Sequence, residues 1–261
     1  MLAHGAYAPL DRFVCEHEGR RIRDRGQLLN GAAFPVAVTL VLPSSQVGPD
    51  PVEETLVLID AEGMPVAEVS VDSTWVAGEG HVAVSGRVRA RAGAGQDVPG
   101  LAHSPVQVRA LMCGRGALGV LVDRPLLASE VRVLAGIGRT SPVLLLVRSV
   151  DPGVPVDVLV EATQSVAKQI PQSLVSTVPF ARRDDPEDDE ELGEIVIRNF
   201  GARPAGLTPM NSRWLSVVSA LDEADDAALA SLLDPSTEDT LRRWRRLRPS
   251  SELTASHGRA S

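Results

Sequence analysis

Between residues 34 and 88 apolar positions come in short runs, FPVAVTLVL at 34–42, TLVLID at 55–60, VAEVSV at 66–71 and HVAVSGRV at 81–88. The runs are β-branched, partly alternate with polar residues and are bounded by Gly, Pro and Asp, which predicts half-buried strands. Residues 60–65 join two of them as a turn in which Gly63 can take positive φ, so the first third reads as a small, mostly antiparallel barrel or sandwich. The pattern then breaks into the Gly-rich connection AGAGQDVPG at 92–100. Beyond it, helix-like segments at 105–113, 128–136 and 156–168 alternate with the continuous apolar runs ALGVLV at 117–122 and PVLLLV at 142–147 and with SLVSTV at 173–178. Uninterrupted apolar strands separated by helices predict a parallel sheet covered on both faces. The resulting expectation is a β domain at 1–98, an α/β domain at 99–249 and a frayed polar tail at 250–261.

A helix is predicted at 192–199, and Asp234 followed by Pro235 reads as an N-cap with proline at the first helical position. The net charge of −8 and a single lysine argue against a nucleic-acid-binding surface. The arginines in RRWRRLR at 242–248 are read as cations gathered at a helix C-terminus in preference to an anion or membrane site. Cys15 and Cys113 stand far apart, with neither disulfide nor zinc spacing, so no metal is expected. The opening MLAHGAYAPLDRF has no signal-peptide pattern and no stretch is long enough for a membrane span, which makes the cytoplasm the expected compartment.

Several segments resemble ATP sulfurylase (sulfate adenylyltransferase). GAYAPLDRFV at 5–14, LNGAAFPVAVTL at 29–40, LIDAEGMPVA at 58–67, SPVQVRAL at 104–111 and RNFGA at 198–202 are similar to stretches of that family, in its order. The resemblance implies a PUA-like β-barrel followed by a truncated nucleotidylyltransferase-like (HUP, Rossmann-like) domain. It also implies that the loop VDRPLLASE at 122–130 corresponds to the family's Q-x-R-N-P-x-H-x-x-H, in which two histidines and an arginine hold ATP phosphates. Here Leu127 and Ser129 stand in the region of the histidines, the turn is one residue shorter and Asp123 adds negative charge. Asp184 and Asp185 replace an Ala-Gly in a second motif, and after Ala202 a strand and a histidine are missing.

On that resemblance the catalytic site is empty of its histidines. The nucleotide-binding candidates are Arg124, Pro125, Arg183 and Arg198, with weak ATP and Mg²⁺ binding at most. A surface ion pair explains Arg124 and Arg183 as well as a phosphate contact does. The leading expectation is a non-catalytic paralogue that acts as a binding or assembly partner, either of another protein (a sulfurylase or biosynthetic enzyme) or of further copies of itself. The alternative is a divergent adenylyltransferase acting on sulfate or another acceptor. An RNA-binding PUA-like module is disfavoured by the acidic balance.

Overall fold

The computed structural model describes residues 1–59, 63–91, 100–150, 154–183, 185–205 and 226–247. The chain forms two compact units, one of Met1–Leu111 with Arg182–Gly201 and one of Met112–Ala181 with Ala202–Ser261.

In the first unit five strands form one antiparallel sheet: β1 (Arg12–Phe13), β2 (Leu40–Pro43), β3 (Thr55–Ile59), β4 (Pro65–Gly78) and β5 (His81–Ala90). Their order is β1-β5-β4-β3, with β2 also pairing β5. The alternation read from the sequence is visible in β4, where Val69 and Val71 are buried while Ser70 and Asp72, which alternate with them, are exposed. Helices α1 (Glu16–Arg25), α2 (Pro105–Leu111) and α5 (Pro186–Asn199) complete the unit.

The PUA-like barrel is corrected to an open sheet. Among the described residues β3 pairs only with β4, and β1 and β2 only with β5, so no ladder closes the sheet on itself. The run at 34–42 is strand only from Leu40. Phe34, Val36 and Val38 are buried, but they lie outside the ladder, in a segment that bends at Val36 and where Pro35 has no N–H to donate. The turn at 60–62 lies outside the described residues.

Helix α5 starts earlier than expected. Asp185 caps it by accepting from the amides of Glu187 and Asp188, Pro186 holds the first turn, and Glu187, Asp188 and Asp189 follow. Carboxylates beside the positive end of a helix are stabilising, so this part of the acidic run is a helix start.

In the second unit β6 (Ala117–Val122), β7 (Val143–Arg148), β8 (Ser173–Val178) and β9 (Ala202–Pro204) form a parallel sheet in the order β8-β7-β6-β9. Val143 to Val147 of β7 are all buried, as the continuous apolar run predicts, and Arg148 is buried with them. Helices α3 (Ala128–Gly138) and α4 (Val156–Ala167) make the crossovers, and α6 (Asp226–Leu232) and α7 (Pro235–Leu247) follow. The chain steps outward from β6 through β7 to β8, then returns to β6's other side as β9, so the strand order reverses at β6. The strand expected to be missing after Ala202 is therefore present, as three residues paired with Ala117, Leu118 and Gly119.

Gly86 is where the first unit tolerates least. A Cβ there would lie 2.1 Å from the backbone oxygen of Ser70, beside the irregular register between Val71 and Ser73. Gly86→Ala is expected to lower stability to urea by about 1–3 kcal/mol, the usual range for overpacking a filled site. A variant as stable as the parent would show that the two strands can separate freely.

Candidate functional site: the loop after β6 and the adjoining cavity

The segment that joins β6 to α3 is shaped by one carboxylate. Glu130 receives Arg124 Nη2 at 2.7 Å on Oε1 and Arg124 Nη1 at 2.9 Å on Oε2, and Oε2 also receives the Leu127 amide at 2.8 Å. Leu127 is the N-cap residue and has no side-chain acceptor, so Glu130, three residues on, ties the helix start back to it. The Arg124 and Glu130 side chains are 8% and 11% exposed, which makes this a buried ion pair. Burial opposes the guanidinium charge, but the hydrogen bonds and charge of Glu130 and the charge of Asp123 outweigh it and hold Arg124 more firmly protonated. Pro125, Leu126 and Leu127 are buried in the turn.

Next to this loop lies a cavity of about 620 Å³ lined by Leu127, Ala128, Ser129, Val131 and Arg132, by Gln169 beyond α4, and by Ala230 to Pro235. The first rung of α3 runs from Val131 N to Leu127 O, so the amides of Ala128, Ser129 and Glu130 precede the helical ladder. Asp234, on the opposite wall, accepts from Ser236 N and Oγ, Thr237 N and Oγ1, and Gln169 Nε2 at 2.5–3.4 Å. Burial pushes its acidity down, but these donors more than offset it and hold the carboxyl below its ordinary value. With its carboxylate taken up as the cap of α7, the charged group that lines the cavity and is left to meet a ligand, among the described residues, is Arg132.

The four candidates divide between the two units. Arg124 and Pro125 sit in the second, in the loop that leads to Leu127, the first residue lining the cavity; neither lines it. Arg183 and Arg198 sit in the first: the Arg183 amide donates to Asp189 at 2.8 Å, and Arg198 pairs with Glu194 one turn back on the exposed side of α5. Asp184 lies outside the described residues. Three of the four arginines of α7 are engaged within the fold: Arg242 and Arg245 reach Asp226, and Arg243 reaches Glu161 and Asp239.

Arg148 went unread in the sequence. It ends β7, is 1% exposed, and its guanidinium carbon stands 4.3 Å from the centre of the Phe180 ring, a cation–π contact at the carboxyl edge of the sheet. The signal was an arginine closing an otherwise wholly apolar strand.

No family model matches the chain. Among solved structures it is similar to the hexameric APS kinase from Thiobacillus denitrificans, at 24% identity and a TM-score of 0.68 over 80% of this chain and 45% of that one. At that identity the likeness shows the fold alone, and the chain spans less than half the length of the protein it matches. The ATP sulfurylase resemblance is corrected by this finding. So are the PUA-like plus nucleotidylyltransferase architecture and both functions derived from them, the inactive paralogue and the divergent adenylyltransferase.

The motifs that carried the resemblance have local structural causes. Gly5 and Gly31 turn the chain at positive φ. Asn199 Nδ2 donates to the carbonyls of Ala6 and Ala8, both at 2.9 Å. Gly201, at φ +87°, lies where a Cβ would come 2.7 Å from Arg109 Cγ. Such residues are demanded by chain geometry whatever the site does.

If the buried pair shapes the loop, breaking it from one side must be costly. Arg124→Met, which leaves Glu130 buried without its partner, is expected to cost about 3–5 kcal/mol in urea unfolding, and adding Glu130→Gln should restore part of that. A loss below about 0.5 kcal/mol in the single variant would show that the pair is solvated and incidental.

Proposed function

We propose that this chain is the nucleotide-anion-binding α/β part of an APS-kinase-like protein and takes adenylylsulfate or ATP in the cavity at the start of α3. The observation that carries the reading is the cavity itself. It opens on the amide end of α3, the helix that follows the strand where the sheet order reverses, and open α/β sheets take ligands outside the carboxyl ends of their strands at such a point. The Ala128 and Ser129 amides and the Arg132 side chain offer donors and positive charge to a phosphate or sulfate group. In this reading Arg124 and Pro125 act by shaping the loop, and Arg183 and Arg198, in the other unit, have no part in the cavity. The likeness to an APS kinase supplies the substrate class.

The chain's own residues support binding and not phosphoryl transfer. Kinases of the P-loop type hold ATP phosphates with G-x-x-x-x-G-K-[ST]. This sequence contains no such stretch, and its one lysine, Lys168, is the C-cap of α4. Self-association belongs to the same proposal, since the neighbouring APS kinase is hexameric. A reducing, cytoplasmic compartment suits Cys15 and Cys113, neither of which is in a disulfide. No helix among the described residues is long and apolar enough to cross a membrane.

Titration calorimetry with adenylylsulfate and with ATP, each with and without Mg²⁺, tests the reading. Saturable binding is expected, weakened about tenfold or more by Ser129→Glu, which sets a carboxylate at the mouth of α3 where an anion would sit. Absence of binding, or an affinity indifferent to Ser129→Glu, overturns it. Light scattering on the same samples should give a mass above the 27.7 kDa of one chain; a monomer would remove the self-association.

A further inference from the structure

We propose that Gln169 reads the base of the ligand: its carboxamide oxygen accepts from the 6-amino group of adenine and so selects adenine over 6-oxopurine nucleotides. This rests on the cavity being the nucleotide site proposed above. Gln169 and Asp234 both line that cavity, and the bond between them decides which way the carboxamide faces.

The backbone under Gln169 is held on two sides. The residue lies in the turn between α4 and β8, where its amide donates to the Val166 carbonyl at 2.9 Å; the next residue, Ile170, is buried and donates to the Ala167 carbonyl at 3.0 Å. The same turn is pressed against the end of α3. A Cβ on Gly138 would lie 2.4 Å from the Pro171 backbone oxygen, and Gln172 Nε2 donates to the Gly138 carbonyl at 3.1 Å. Helix α3 has eleven residues, a length of about 16 Å, so the turn stands at the opposite end of α3 from the Ala128 and Ser129 amides. A nucleotide with its phosphates at those amides extends its base toward Gln169. The 6-position lies across the purine from the ribose, so it is the edge that arrives.

The side chain has one orientation. Gln169 Nε2 donates to Asp234 Oδ1 at 3.1 Å. Burial works against the Asp234 charge, but its donors from Ser236, Thr237 and Gln169 outweigh it, so the group is ionised at neutral pH. A carboxylate has no hydrogen to offer, and turning the carboxamide over would set oxygen against oxygen. Nε2 therefore stays toward Asp234 and Oε1 faces away from it. Among the described residues no donor reaches Oε1, and Gln169 is exposed, so that oxygen is open to a ligand. A 6-amino group donates to it, whereas a 6-oxo group puts a second acceptor against it.

Titration calorimetry on the full chain with ATP and with inosine triphosphate, which carries a 6-oxo group in place of the 6-amino group, tests the assignment. ATP is expected to bind about five- to tenfold tighter, the range for one hydrogen bond made or lost. Gln169→Met keeps the bulk of the side chain without the carboxamide and should bring the two affinities within twofold of each other. Asp234 keeps four of its five donors in that variant, so α7 retains its cap. Ser129→Glu, at the phosphate end, should weaken both nucleotides and preserve their ratio. Equal affinities in the parent, or a preference for ATP that survives in Gln169→Met, overturn the role of Gln169 and leave the cavity as the nucleotide site. Failure of both nucleotides to bind removes the site and this assignment together.

Discussion

The second unit depends on the Glu130 carboxylate, which does two jobs from one buried position. It neutralises Arg124 and it accepts the amide of Leu127 at the start of α3. Both connect the end of β6 to the first turn of the helix, so the turn between them has little freedom. A buried carboxylate with a single partner would be a liability; with three donors it becomes a fixed point on which the loop is built. The cavity beside it inherits that rigidity, since its α3 wall begins at Leu127.

Much of the second unit could be read from the chain. The runs ALGVLV and VLLLV have no polar side to present to water, which is the condition of a strand covered on both faces, and they pair in parallel at the expected positions. Asp234-Pro235 likewise marks a helix start by local chemistry alone. The polar strand β8 and the three-residue strand β9 carry weaker patterns, and β9 was missed because three residues have no period to detect.

The first unit was less legible because its outcome turns on long-range pairing. Alternation at 55–59 and 66–71 predicts half-buried strands, and these form, but nothing in a strand's own pattern says whether the sheet closes. Pro35 and the buried Phe34, Val36 and Val38 show the limit: apolar alternation marks which side chains face the core, not whether the backbone joins a ladder. The short motifs misled for a related reason. Gly5, Gly31, Asn199 and Gly201 meet steric and hydrogen-bonding demands of the backbone, and similarity at such positions speaks to turns before it speaks to chemistry. At the candidate site, Arg124 was visible as a charge but its partner was not, because Glu130 reads as an ordinary residue of a helix's first turn.

The central claim is that an adenylylated anion sits between the start of α3 and the α6–α7 junction. The amide spectrum of the chain titrated with adenylylsulfate tests it most directly. The account expects shifts concentrated at 127–132 and 230–237, saturating together with one affinity. Shifts confined to the first unit, with those residues unmoved at saturation, would contradict it.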